Sequence, residues 1–395
     1  MNLVYLLYLV ILSNYVTAQW TLNLIDLNTY PLARCLDGTP GGYYISPGTG
    51  DDAANILWHT QGGAWIISDE DAANRAKSPL GSSSFWATTG CPNANSPVCY
   101  ADGGASGMLS NDPIGNPHLA NWTKIFINYC DGTSYASDVI EPVTVGTQTL
   151  YFRGYYILEA IFTDLFVKQG LAEKTKTLVV AGCSAGGLAA YIHVDNICNK
   201  VNTLNPSIRC LGAPGAGFFM GEAPPFSGNG FLSSFQWVFS RTNISTHTND
   251  ACIANHTAGD KAFWKCFIAP EVLPFIKTPI FVSNSLSDSW QAGNIMGLQC
   301  QPSKTSNCSP QQIAYLLTFR TNMLTALGPV ISPNSQHGGF LQGCFVHVVE
   351  DVNQWTTVLI NNRSQSDTFW SWLNDDKTNP SIQIGSFPPD SNPTC

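Results

Sequence analysis

Apolar positions recur along this chain in two distinct rhythms. Short runs of adjacent apolar residues stand at Asn55-Ile-Leu-Trp, Lys124-Ile-Phe-Ile, Leu178-Val-Val-Ala and Pro279-Ile-Phe-Val. Each is rich in β-branched or aromatic residues and ends in glycines, serines or a turn, so each reads as a strand buried on both faces. Between them the period changes. Tyr155 to Gly170 carries apolar residues at i, i+3, i+4 and i+7 and ends on a glycine, which predicts an amphipathic helix. Small and apolar residues at helical spacing follow Ser184, and a further helical stretch covers Pro310 to Leu327. Strands alternating with helices imply an α/β architecture with a mostly parallel sheet.

From Cys210 to Thr278 that alternation fades. Glycines and prolines cluster, aromatics are dense, and one helical run covers Phe231 to Phe239. The expectation is one domain over residues 19–395, with an insertion at about 210–278 standing over the site. A structural side lobe is the competing reading. At the other end, Asn2 to Leu12 is almost wholly apolar but shorter than the about 20 residues a bilayer-spanning helix needs. Followed by Val16-Thr17-Ala18, it reads as a signal peptide over residues 1–18, and no later stretch is apolar enough to span a membrane.

The chemistry centres on Gly182-Cys-Ser184-Ala-Gly186, a G-x-S-x-G pentapeptide between an apolar strand and a helix. That context is the one a nucleophile elbow requires, with the serine on a strained turn and glycines where neighbouring backbone comes close. An earlier strand runs into Gly62-Gly63. A glycine-rich loop there is expected to supply one oxyanion-hole amide, from Ala64 or Trp65, with Ala185 after the nucleophile supplying another; a plain Gly-Gly turn is the competing reading. Asp288 lies just beyond a late strand, and His347 follows it. The order Ser184, Asp288, His347 is that of the α/β-hydrolase triad, in which the histidine takes the serine's proton and the acid fixes its tautomer.

Other histidines compete less well. His59 lies inside a strand, His337 falls in an Asn-Ser-Gln-His-Gly turn expected to be exposed, and His256 sits within a sequon where a glycan would hold it at the surface. Asp131 ends the Lys124 strand in an Asp-Gly turn. It is either a cleft residue or a turn stabiliser. Asp131, Phe218, Phe219 and Gln291 are the candidates to line the substrate cleft.

Composition refines the picture. Thirteen cysteines and five sequons, at Asn121, Asn243, Asn255, Asn307 and Asn362, suit a secreted, disulfide-linked glycoprotein. An odd count leaves one thiol over. Cys183, packed inside the elbow, is the candidate, whereas Cys91 and Cys99 are expected to pin a surface loop. Charged residues make up 11% of the chain and the net charge is −9, with no basic run, so nucleic acid is excluded as a partner. The acidity supplies no pull toward a polyanionic substrate at neutral pH. A monomer without cofactor or metal is expected.

Taken together, the blocks resemble the pectin acetylesterase family, the plant-type branch related to Notum carboxylesterases, from about Arg34 to the last residue. The resemblance rests on Cys35-Leu-Asp-Gly-Thr-Pro-Gly-Gly-Tyr, Gln61 to Trp65, Asn128 to Gly132, Gly182 to Tyr191 and Gly217-Phe-Phe. It continues through Thr278 to Gln291, Cys308-Ser-Pro-Gln-Gln, Gly343 to His347 and the terminal Asn392-Pro-Thr-Cys395. It implies an α/β-hydrolase fold, metal-free serine esterase chemistry and the triad roles given above. Gln61, Ala64 and Ile66 depart from the family's usual acid, glycine and cysteine. The expected function is a secreted esterase that removes acetyl groups from a cell-wall polysaccharide such as pectin. The alternatives are a Notum-like deacylase of lipidated (palmitoleoylated) protein and a catalytically silent binding protein on the same scaffold.

Overall fold

The computed structural model describes residues 20–86, 106–222, 226, 230–302 and 307–395. The expected signal peptide and the Cys91 and Cys99 loop therefore lie outside the described residues. Nine strands form one sheet: β1 (Thr21–Leu24), β2 (Gly42–Ser46), β3 (Asn55–Thr60), β4 (Thr123–Ile127), β5 (Thr177–Cys183), β6 (Arg209–Gly215), β7 (Phe281–Ser285), β8 (Gly338–Gln342) and β9 (Ile382–Ile384). Their order across the sheet is β1-β2-β4-β3-β5-β6-β7-β8-β9, antiparallel at β1/β2 and β2/β4 and parallel elsewhere. With helices on both faces, this is an α/β-hydrolase-like fold.

Successive residues of the central strands enter opposite layers, as period-two side chains must. Ile56, Trp58, Ile125, Ile127, Leu178 and Val180 join one core, and Leu57, Phe126, Val179, Ala181 and Phe281 join the other. Both faces are covered, which explains why these strands read as unbroken apolar runs.

The predicted helix after residue 154 is present as α1 (Gly154–Phe162), continued by a π-helical turn at Thr163–Lys168 and stopped by Gly170 at φ 69°. The helix after Ser184, α2 (Ala185–Leu204), runs back along β5. Beyond β6 come two further helices, α3 (Phe231–Arg241) and α4 (Asp250–Ala258), then the short α5 (Ser289–Asn294) after β7 and α6 (Pro310–Ala326). Helix α6 opens with a capping box in which Ser309 and Gln312 exchange hydrogen bonds, with Pro310 in the first turn.

One expectation needs correcting. Residues 209–215, assigned to the start of the insertion, form β6, the neighbour of the nucleophile strand. The sequence Arg-Cys-Leu-Gly-Ala-Pro-Gly resembles a loop because its glycines serve packing: a Cβ at Gly212 would stand 2.7 Å from the Ile280 side chain. Only the region after β6 departs from the strand–helix alternation.

Sheet topology locates the crevice. From β3 the chain leaves toward β4 on one side, and from β5 it leaves toward β6 on the other. The connections diverge above the carboxyl ends of two adjacent parallel strands, where open α/β sheets bind their ligands. Five disulfides tie the described elements: Cys35–Cys130, Cys198–Cys210, Cys252–Cys266, Cys300–Cys308 and Cys344–Cys395. Cys183 is free, as its position inside the elbow led us to expect. Among the described residues, no helix is long and apolar enough to cross a membrane.

Candidate active site

At the end of β5 the chain turns so sharply that Ser184 adopts φ 57° and ψ −121°, a conformation that L-residues seldom hold. Surrounding contacts over-determine it. The Ser184 amide donates to the Gly215 carbonyl at 3.0 Å. A Cβ at Gly186 would lie 2.0 Å from the Thr60 carbonyl oxygen, and one at Gly62 would lie 2.4 Å from the Cys183 carbonyl oxygen. Neither position admits a side chain. The elbow and the loop after β3 therefore touch backbone to backbone.

Ser184 Oγ lies 2.8 Å from Nε2 of His347, and Nδ1 of the same ring lies 2.8 Å from Oδ2 of Asp288. Because the carboxylate only accepts, Nδ1 carries the proton and Nε2 faces the serine as a base. The acid is fully buried and fixed at its other oxygen, where Oδ1 accepts from the Gln291 amide and caps α5. Burial pulls the His347 imidazole down, but the charge and hydrogen bond of Asp288, with the charge of Glu350, leave it above its ordinary value. Cys344, three residues before the histidine, is bonded to the last residue, Cys395, which restrains the loop.

Facing Ser184 is the loop of residues 61–65. Gly63 has φ 147° and Ala64 has φ 55°, so the left-handed turn expected of a glycine is taken here by alanine. Side chains hold it in place. Arg75 donates to the Gly63 carbonyl at 2.8 Å and lies over the Tyr129 ring, and the Tyr129 hydroxyl donates to the Ala64 carbonyl at 2.9 Å. Gln61 Oε1 accepts from the Tyr129 amide at 2.9 Å. On the other side, Ala185 begins α2, whose first-turn amides have no intrahelical acceptor and lie at the positive end of the helix dipole.

A family model of pectinacetylesterases matches residues 14–395. The chain belongs to that family. Pectin acetylesterase 5 of Arabidopsis thaliana is 29% identical over 92% of this chain and 82% of its own length, and pectin acetylesterase 7 is 30% identical over 80% and 76%. The palmitoleoyl-protein carboxylesterase notum1' of Xenopus laevis is 26% identical over 91% of this chain and 72% of its own length. These relatives are carboxylic ester hydrolases, and this member of the pectinacetylesterase family is one by class.

The structure brings together Ser184, Asp288, His347, Ala64, Trp65 and Ala185, but it places the candidate lining residues elsewhere. Asp131 is fully buried, with Oδ2 accepting from the Thr133 and Tyr135 amides at 3.0 Å each, so it stabilises its turn and does not face a cleft. Gln291 is also fully buried. Its carboxamide spans the backbone after β6, accepting from the Met220 amide and donating to the Phe218 carbonyl. Phe218 points into the core against Tyr191. Gln291 touches the triad only through its amide on Asp288, and Phe219 is the one of the four whose side chain packs beside His347, its ring 6.0 Å away, and even it is buried.

The competing histidines are accounted for, two of them against expectation. His59 is a packed strand residue, stacked on Phe126 with Nε2 3.0 Å from Asp351 Oδ1. His337 is buried, not exposed, because it accepts the Ile280 amide at the start of β8. His256 is likewise buried, with Nδ1 2.6 Å from Asp260 Oδ1, although its sequon residue Asn255 is exposed.

Sequence reasoning reached Trp65 and Phe219 but missed the other members of the aromatic wall. Phe231 and Phe235 from α3 and Trp290 from α5 surround Trp65, with ring centroids 6.2, 4.6 and 5.8 Å away, and Trp290 stacks at 6.0 Å on His347. Trp290 was within reach, since it stands two residues after the acid. The α3 residues gave no signal beyond helical spacing.

Proposed function

We propose that this chain is a secreted serine esterase that removes acetyl groups from a cell-wall polysaccharide such as pectin. The carrying observation is the unbroken hydrogen-bonded relay Ser184–His347–Asp288, set against two sets of amides from different parts of the fold. Ser184 Oγ attacks the acetyl carbonyl as His347 Nε2 takes its proton, and Asp288 stabilises the resulting imidazolium. The amides of Ala64 or Trp65 and of Ala185 receive the oxyanion. The proton then passes from Nε2 to the departing sugar oxygen, which leaves as a hydroxyl with the acetyl group on Ser184, and water repeats the sequence to release acetate and regenerate the serine.

The aromatic wall supports a short acyl group. Trp65, Phe219, Phe231 and Phe235 are each nearly fully buried against one another. Phe219 reaches the His347 ring at 6.0 Å, and the cluster behind it fills volume that a long acyl chain would otherwise take. Secretion is supported by the disulfides and by the five sequon asparagines, all of which are exposed. The apolar leader favours the same reading.

The 26% identity to the Notum carboxylesterase makes long-chain deacylation the second reading. An acyl-length series of p-nitrophenyl esters from two to sixteen carbons separates the two. Each methylene buried in a matching pocket contributes about 0.8 kcal/mol, roughly fourfold in kcat/KM. We expect the rate to be greatest at acetate and to fall by octanoate, and a steady rise with length would establish the deacylase reading instead.

A further inference from the structure

We propose that Ser134 is a positioning residue that locks the two halves of the oxyanion hole to each other. The inference rests on the esterase reading above. The oxyanion amides come from two segments joined by no ladder of their own: the loop of residues 61–65 and the first turn of α2. Ser134 spans them with one hydroxyl. Its Oγ accepts from the Trp65 indole Nε1 at 2.8 Å and donates to the Ala185 carbonyl at 2.7 Å. Trp65 and Ala185 are two of the residues whose amides would bind the oxyanion.

The rest of the residue is committed in the same way. Its amide donates to the Tyr129 hydroxyl at 3.0 Å, and that hydroxyl donates onward to the Ala64 carbonyl at 2.9 Å. Its carbonyl accepts from His193 Nε2, about two turns further along α2, at 3.0 Å. Burial holds His193 down at about 4, so this donor stays neutral over the working range. Ser134 is itself fully buried and held at φ 51°. Four hydrogen bonds thus converge on one side chain and its peptide, and they reach both sources of oxyanion amides.

The need for such a tie follows from Ala64. Its left-handed φ is a strained state for a residue with a Cβ, and without restraints the loop would relax away from Ser184. Oxyanion donors act only when held within about 0.5 Å of the productive position. Removing the Ser134 hydroxyl leaves the Trp65 indole N–H buried and unpaired and cuts the side-chain link from Trp65 to α2, while the Thr60 hydroxyl still donates to the Gly186 carbonyl at the base of the loop. Ser134 is fully buried beneath the oxyanion amides, so the loss should appear in the transition state rather than in binding.

The experiment compares wild type, Ser134→Ala, Trp65→Phe, the double variant and Ser184→Ala. Each is assayed for p-nitrophenyl acetate hydrolysis and for inhibition by an acetyl-sized trifluoromethyl ketone, whose adduct with the serine carries an oxyanion. We expect kcat for Ser134→Ala to fall about 10- to 100-fold, the scale of a small misplacement of catalytic groups, with KM nearly unchanged. The ketone's inhibition constant should rise by the same factor as kcat/KM falls. Because both single variants cut the same hydrogen bond, the double variant should lose little more than either alone. Should Ser134→Ala fail to fold, Trp65→Phe carries the test through the same comparison of ketone and kcat/KM. Wild-type kcat and ketone affinity in Ser134→Ala, or in Trp65→Phe standing in for it, beside an inert Ser184→Ala, would overturn this inference alone. A wild-type protein whose Ser184 takes up no ketone would overturn the esterase reading and the inference together.

Discussion

The floor of the site and its wall are built by different means. The floor, comprising the elbow, the loop after β3 and the carboxyl ends of β5 and β6, is fixed by backbone lying against backbone. Cβ atoms at Gly186 and Gly187 would come within 2.0 Å and 2.1 Å of carbonyl oxygens. The wall, comprising Phe231 and Phe235 of α3 with Trp65, Phe219 and Trp290, is fixed by ring volume. A side chain in the wall can be shortened at the cost of a cavity, whereas one added atom in the floor meets main chain that cannot give way. The proposed chemistry therefore resides in the region that tolerates least change, and the proposed acyl preference in the region that tolerates more.

One methyl group added to the floor should have the largest effect. Gly186→Ala should abolish production of folded, secreted protein, because its Cβ has nowhere to go against the Thr60 carbonyl. Recovery of soluble, active enzyme from that variant would show the floor to be less rigid than described. Asp288→Asn should keep the fold while kcat drops about 10⁴-fold, as loss of the acid leaves the imidazole in the wrong tautomer. The pH profile adds a second reading. Activity needs neutral Nε2, so it is lost as pH falls through the His347 pKa, which Asp288 holds above its ordinary value. The acidic limb of the residual kcat/KM should accordingly move to lower pH in Asp288→Asn, where burial acts without the compensating charge.

Smaller effects belong to the wall and to the layer beneath the floor. Phe235→Val should raise relative kcat/KM for butyrate over acetate, by about fourfold for each added methylene the new space accepts, with acetate turnover little changed. An unaltered length profile would place the acyl group away from this wall. Below Ser184, burial and then the neighbouring Asp351 charge push the buried Glu350 carboxyl up to about 7. A carboxyl raised in the folded state stabilises fully below its unfolded value near 4.5, and that contribution is lost as pH climbs through about 7. Melting temperature should therefore decline more steeply between pH 5 and pH 8 in wild type than in Glu350→Gln, and parallel declines would contradict it.

The same division governs what could be read from the residues alone. The elbow, the acid after β7 and the late histidine were legible because strained turns and close backbone approach restrict residue types to a few. The free thiol at Cys183 was legible for the same reason. Strand β6 was hidden by glycines placed for packing against Ile280 and Glu350, which resemble loop glycines until the neighbours are known. Asp131 and Gln291 lie next to recognisable motifs, yet their side chains turn inward to hold backbone, and polarity alone does not reveal direction. Ser134 and the α3 phenylalanines were out of reach because their partners lie 51 to 170 residues away in the chain, at Ala185 and Trp65. Long-range side-chain geometry leaves no local pattern.

Acetate release from acetylated pectin by the purified protein, measured beside Ser184→Ala at equal concentration, tests the serine mechanism most directly. Ser184 attack on an acetyl ester predicts steady release by wild type and a loss of about 10⁶-fold in the variant, near the residual level that the oxyanion hole and binding alone provide. Release that persists in Ser184→Ala would contradict the serine mechanism, and a wild-type protein that frees no acetate from pectin while cleaving long-chain esters would contradict the substrate.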